Sequence, residues 1–89
     1  GNTFAYKQVL SWGGNIPSLK ITIYNAETNI LILEDSTNLQ NFGVFEYSIN
    51  NGTSWASWSS AANSVGNSIR YRANSLPDNI RIKVILTRL

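Results

Sequence analysis

Val44-Phe45-Glu46-Tyr47-Ser48-Ile49-Asn50-Asn51-Gly52-Thr53-Ser54-Trp55-Ala56-Ser57-Trp58 sets a strand register and two sheet faces within fifteen residues. Asn51-Gly52 is a strong hairpin signal, because a two-residue type I′ turn needs positive φ at both central positions and Asn and Gly tolerate it best. With those two residues as the turn, Asn50 faces Thr53, and Ser48–Trp55, Tyr47–Ala56, Glu46–Ser57 and Phe45–Trp58 follow down the ladder. Side chains alternate across a strand. Phe45, Tyr47, Ile49, Ala56 and Trp58 therefore share one face and read as core. Glu46, Ser48, Trp55 and Ser57 share the other and read as surface.

Working outward, the same period of two recurs. Thr3 to Trp12 places Phe4, Tyr6, Leu10 and Trp12 on one side, interrupted by Gln8, and ends at Gly13-Gly14-Asn15-Ile16-Pro17, a segment no central strand would tolerate. Leu19 to Tyr24 sets Leu19, Ile21 and Ile23 against Lys20, Thr22 and Tyr24. Ile30 to Glu34 returns after Asn25–Asn29, and a five-residue loop puts Ile23 opposite Leu31 and Ile21 opposite Leu33. Ser36 to Gly43 reads as a loop crossing between sheets, with Leu39 and Phe42 tucked under the sandwich edge. Ser59 to Gly66 is small and polar, with room for one helical turn, but no stretch sustains a helical apolar period. Asn67 to Ala73 turns Ile69, Tyr71 and Ala73 inward and Arg70 and Arg72 outward. Ile80 to Leu89 turns Ile80, Ile82, Val84 and Leu86 inward.

About seven short strands separated by turn residues predict an all-β fold, an antiparallel β-sandwich of the immunoglobulin-like kind, with a five-stranded OB-like β-barrel as the alternative. Eighty-nine residues suffice for one domain, residues 1–89, with a single core. The chain starts at Gly1 and ends inside a strand, which reads as a module of a longer protein or assembly.

Hydrophobic residues make up 43% of the chain and charged residues only 13%, about half the usual share. Twelve Asn and eleven Ser take their place. Such a neutral, hydrogen-bonding surface suits an extracellular, cell-surface or virion protein, although a biased genome composition yields the same excess. Cysteine and histidine are both absent, which removes disulfides, thiol chemistry, the commonest general base and the commonest transition-metal ligand. No serine has a histidine to activate it, and the adjacent Glu34 and Asp35 point to opposite faces, so they form no two-carboxylate pair. The expectation is a protein that is not an enzyme, uses no cofactor and binds no metal. No apolar run approaches the length of a membrane-spanning helix. Asn51-Gly52-Thr53 matches a glycosylation sequon, yet a hairpin tip accounts for the same residues.

Two constellations carry a binding hypothesis. Five of the seven Lys and Arg residues lie between Arg70 and Arg88. If Asn74–Asn79 closes a hairpin, Arg72 faces Arg81 and Arg70 faces Lys83, a like-charge ladder that calls for an anionic partner. The structural alternative sets Glu46, on a neighbouring strand, between the arginines. Trp55 is the second, a flat apolar ring between Ser48 and Ser57 on the polar face. It either stacks on a sugar, with Asn50, Arg70 or Arg72 bonding the hydroxyls, or is covered by an arginine or a neighbouring subunit. Trp12 and Tyr24 are lesser candidates.

The segment Tyr47-Ser48-Ile49-Asn50-Asn51-Gly52-Thr53-Ser54-Trp55-Ala56-Ser57-Trp58, followed by Ile69-Arg70-Tyr71-Arg72-Ala73, resembles the Y-S-x-D/N-x-G-x-x-W-x-x-W hairpin and I/L-R-x-R strand of immunoglobulin-like and fibronectin-III-like modules. It covers about a third of the chain. Trp55-Ala56-Ser57-Trp58-Ser59 is also similar to a cytokine-receptor W-S-x-W-S box, but it precedes the arginine strand where that family places it after. The first resemblance implies a structural or adhesive module of a phage virion, in a tail, fibre or decoration role, or of a bacterial surface protein. Its partners would be other protein subunits or neighbouring domains, and copies of itself through exposed strand edges. The rivals are a carbohydrate-binding module and, less favoured at a net charge of +2, an OB-like nucleic-acid binder.

Overall fold

In a computed structural model, which describes residues 4–13, 17–58, 66–74 and 76–88, the period-two segments become seven strands. These are β1 (Phe4–Trp12), β2 (Pro17–Asn25), β3 (Leu31–Ser36), β4 (Gly43–Ser48), β5 (Ala56–Ser57), β6 (Gly66–Ala73) and β7 (Ile80–Arg88). They form two antiparallel sheets, ordered β1-β6-β4-β5 and β3-β2-β7. The all-β sandwich expectation holds, and no helix occurs among the described residues. The grouping of strands differs from that of an immunoglobulin domain. A constant-type domain groups its first, second, fourth and fifth strands, whereas here the first, fourth, fifth and sixth share a sheet.

The core lies where the inward faces meet. Leu19, Ile21 and Ile23 of β2 and Phe45, Ile69 and Tyr71 of β4 and β6 are almost fully buried, with Ile80, Ile82, Val84 and Leu86 of β7 packed against them. Each fully buried aliphatic or aromatic side chain contributes about 1.5–3 kcal/mol. The Phe45 and Tyr71 rings lie 4.7 Å apart at 52°, and Trp12 and Trp58 lie 5.3 Å apart. Gly66 opens β6 because a side chain there would overlap the Trp12 ring.

Several expectations need correction. β6 and β7 belong to different sheets, so Arg72 does not face Arg81 and Arg70 does not face Lys83. Arg81 pairs with Tyr24 and Lys83 with Thr22 instead. The cation ladder does not form. In the β2–β3 pair, Ile23 faces Leu33 and Ile21 faces Asp35, two residues from the expected register. The cause is the turn. The Asn25 side chain caps the N–H groups of Glu27 and Thr28, and Asn29 adopts φ 60°. The Asn25 N–H then reaches the Ile30 carbonyl. The resulting irregularity between Ile23 and Tyr24 pairs Leu31 with Tyr24 and turns it outward.

Leu39 and Phe42 do not tuck under the edge, for they are 64% and 57% exposed. Ile49 and Ala56, expected inside, are exposed, Ile49 lying just past the end of β4 at Ser48. Glu46 and Ser48, expected on the surface, are buried beneath neighbouring side chains. Pro17 begins β2 rather than closing the turn, a position where its missing N–H costs no interior ladder bond. The suggested helical turn in Ser59–Gly66 lies, up to residue 65, outside the described residues.

Candidate functional site

The hairpin register is as the Asn-Gly pair dictates: Tyr47 faces Ala56, Glu46 faces Ser57, and the Trp58 N–H donates to the Phe45 carbonyl at 2.9 Å. Asn51 and Gly52 have φ of 60° and 88°. The tip is held by its own side chains. The Ser48 hydroxyl donates to Asn50 Oδ1 at 2.8 Å and accepts from the N–H groups of Asn50 and Gly52, while Asn50 Nδ2 donates to Ser54 Oγ. Both predicted contact residues, Ser48 and Asn50, are therefore committed within the turn.

On the outer face of this sheet, pairing aligns Lys7, Arg70, Glu46 and Ser57 in one row across four strands. Glu46 sits between the arginines of β6. Arg70 Nε donates to its Oε1 at 2.9 Å, and Arg72 donates through Nε at 2.7 Å and through a terminal nitrogen to Oε2 at 3.3 Å. Burial pushes the Glu46 carboxyl up, but the hydrogen bonds and charges of Arg70 and Arg72 outweigh it and hold it below its ordinary value. The Arg70 guanidinium also lies 4.6 Å from the Trp55 ring centroid. Trp55 is thus covered by an arginine, the structural alternative to an open sugar platform. It remains half-exposed, and its free rim borders two shallow cavities.

The remaining candidates lie elsewhere. Arg81 covers Tyr24 at 4.4 Å and donates to Asn29 Oδ1, on the other sheet with Lys83. Trp12 is buried against Trp58.

Sequence reasoning missed the cluster around Asp35. Its carboxylate, 2% exposed, accepts backbone N–H bonds from Ser36, Asn41, Phe42 and Gly43 at 2.9–3.1 Å and the Tyr71 hydroxyl at 2.8 Å. Burial pushes the carboxyl up, and those donors outweigh it, leaving Asp35 below its ordinary value. Burial, then the bond and charge of Asp35, raise the Tyr71 hydroxyl, which stays a donor. The missing signal is distance along the chain: Tyr71 lies 36 residues from Asp35.

Fold and site together define an all-β sandwich whose polar groups are largely engaged in holding loops and arginines in place. No family model, curated protein or solved structure matches the chain. Among the described residues, no helix is long and apolar enough to cross a membrane.

Proposed function

We propose that this chain is a non-catalytic β-sandwich module that works by protein–protein assembly along the β3 side of the sandwich. The observation that carries this reading is the clustering of exposed apolar side chains. Ile30, Leu31, Ile32, Leu39, Phe42 and Val44 are six of the nine exposed large hydrophobic residues among those described, and all fall within one stretch of the chain. Leu31 and Ile32 belong to an edge strand whose outer side pairs with no other strand among the described residues, a template for another strand. The crossing connection that continues β3 is held rigid by Asp35, so Leu39 and Phe42 are presented with little ordering cost left for binding. A neutral surface rich in Asn and Ser suits a virion or cell-surface setting for such a module.

The first occupant to test is a second copy, pairing edge to edge. Sedimentation velocity over a range of protein concentrations would show association that Leu31→Lys abolishes, because a charge on the edge obstructs strand addition. A chain that sediments as a monomer throughout, or associates equally well as the lysine variant, overturns this reading.

A further inference from the structure

We propose that the cleft between β1 and the hairpin tip, on the outer face of the four-stranded sheet, binds a carboxylated saccharide. The cleft holds about 220 Å³ and is lined by Lys7, Gln8, Val9, Asn51, Gly52, Trp55 and Ser68. It lies on the sheet opposite to β3, so the proposal stands independently of the assembly surface.

Three observations converge. The first is Ser68, which is 6% exposed and lines the cleft with no hydrogen-bond partner among the described residues. Its cross-strand neighbours cannot satisfy it: Val9 has no polar side chain, and the Ser48 hydroxyl is already committed to Asn50 and Gly52. A buried hydroxyl without a partner is costly and marks a place where a ligand atom completes the structure.

The second is charge. Lys7 stands directly opposite Arg70, but the one carboxylate in that row, Glu46, serves Arg70 and Arg72. Lys7 makes no ion pair among the described residues, so the face has three cations to one acid, and the surplus lies at the cleft.

The third is the character of the other lining groups. Asn51 uses its backbone N–H on Asn67 Oδ1, while its side-chain amide has no partner among the described residues. The neutral Asn51 amide, a hydroxyl and an indole rim match sugar hydroxyls and ring C–H groups, and one ammonium matches one carboxylate. A phosphate would call for the paired arginines, which Glu46 holds elsewhere. The volume, that of about seven waters, suits a single ring.

Titration of the whole chain with tri-galacturonic acid, followed by backbone and indole N–H chemical shifts, tests this. The expected result is saturable shifts at Lys7, Asn51, Ser68 and the Trp55 indole, with the methyl-esterified trisaccharide binding about tenfold more weakly. Lys7→Gln should reduce the acid's affinity to that of the ester. Ser68→Ala should weaken binding of both while leaving thermal stability unchanged or raised, since it removes an unpartnered hydroxyl. Absence of shifts with the acid overturns the proposal. So does a Lys7→Gln variant that binds as tightly as the parent, or an equal response to inorganic sulfate, which would mark an adventitious ion only.

Discussion

The hairpin tip and the crossing connection are both tight, hydrogen-bonded loops, and they are held in opposite ways. Ser48, Asn50 and Ser54 hold the tip through bonds that span no more than four residues, supplemented by Asn67. The connection from β3 to β4 is centred on a buried carboxylate, Asp35, that gathers four backbone N–H groups and a tyrosine from the opposite sheet, with Thr37 and Gln40 adding bonds to Leu19 and Phe45. A local lattice of neutral bonds can lose one member and relax. A charged hub has no substitute, and its donors are left unpaired in the interior when it goes. The lesson is that the less conspicuous loop is the more vulnerable, because most of its side-chain bonds converge on one charged residue.

The comparison breaks most readily at Asp35. Replacing it with Ala should cost about 3 kcal/mol or more, lowering the melting temperature by at least roughly 12 °C for a domain of this size. If Asp35→Ala melts no lower than Ser48→Ala, the distinction between hub and lattice fails. Acid unfolding sharpens the same point. Asp35 and Glu46 both have folded values depressed below their ordinary 3.8 and 4.5. Their stabilisation is therefore complete above those ordinary values and is lost as pH falls through the lower folded ones. Stability measured by denaturant titration should be level from neutral pH to about pH 5 and decline steeply below about pH 4, with a shallower decline in Asp35→Asn.

Glu46→Gln should rank next, at about 1–3 kcal/mol. It leaves Arg70, Arg72 and Lys7 facing one another without an acid, and added salt should restore part of the loss by screening them. Ser48→Ala, which removes one member of the hairpin lattice, should cost about 1–2 kcal/mol by thermal melting. Least of all, Glu34→Gln should change stability by no more than about 0.5 kcal/mol. Its ion pair with Lys20 measures 3.3 Å, but both side chains are 47% exposed. A larger effect would show that the outer face of the three-stranded sheet is as tightly organised as that of the four-stranded one.

Part of the candidate site is legible in the amino-acid sequence. The pairing of Glu46 with Arg70 and Arg72 follows from placing β4 beside β6, and the arginine cover over Trp55 from the parity of the hairpin. Lys7, Gln8 and Ser68 are not legible as site residues, because nothing local states that β1 lies against β6, some sixty residues away.

What the sequence determined by itself was periodicity and local turn chemistry: seven strand segments, the inward faces of β1, β2, β6 and β7, and the register across Asn51-Gly52. These depend on interactions within a few residues, which hold in any fold that keeps the strand. What only the tertiary structure decided was which strands share a sheet. That choice separates Arg70 and Arg72 from Arg81 and Lys83, carries Asp35 to Tyr71, and forms the cleft from β1, β6 and the hairpin. It is settled by how all the apolar faces bury one another at once, a property no single segment contains.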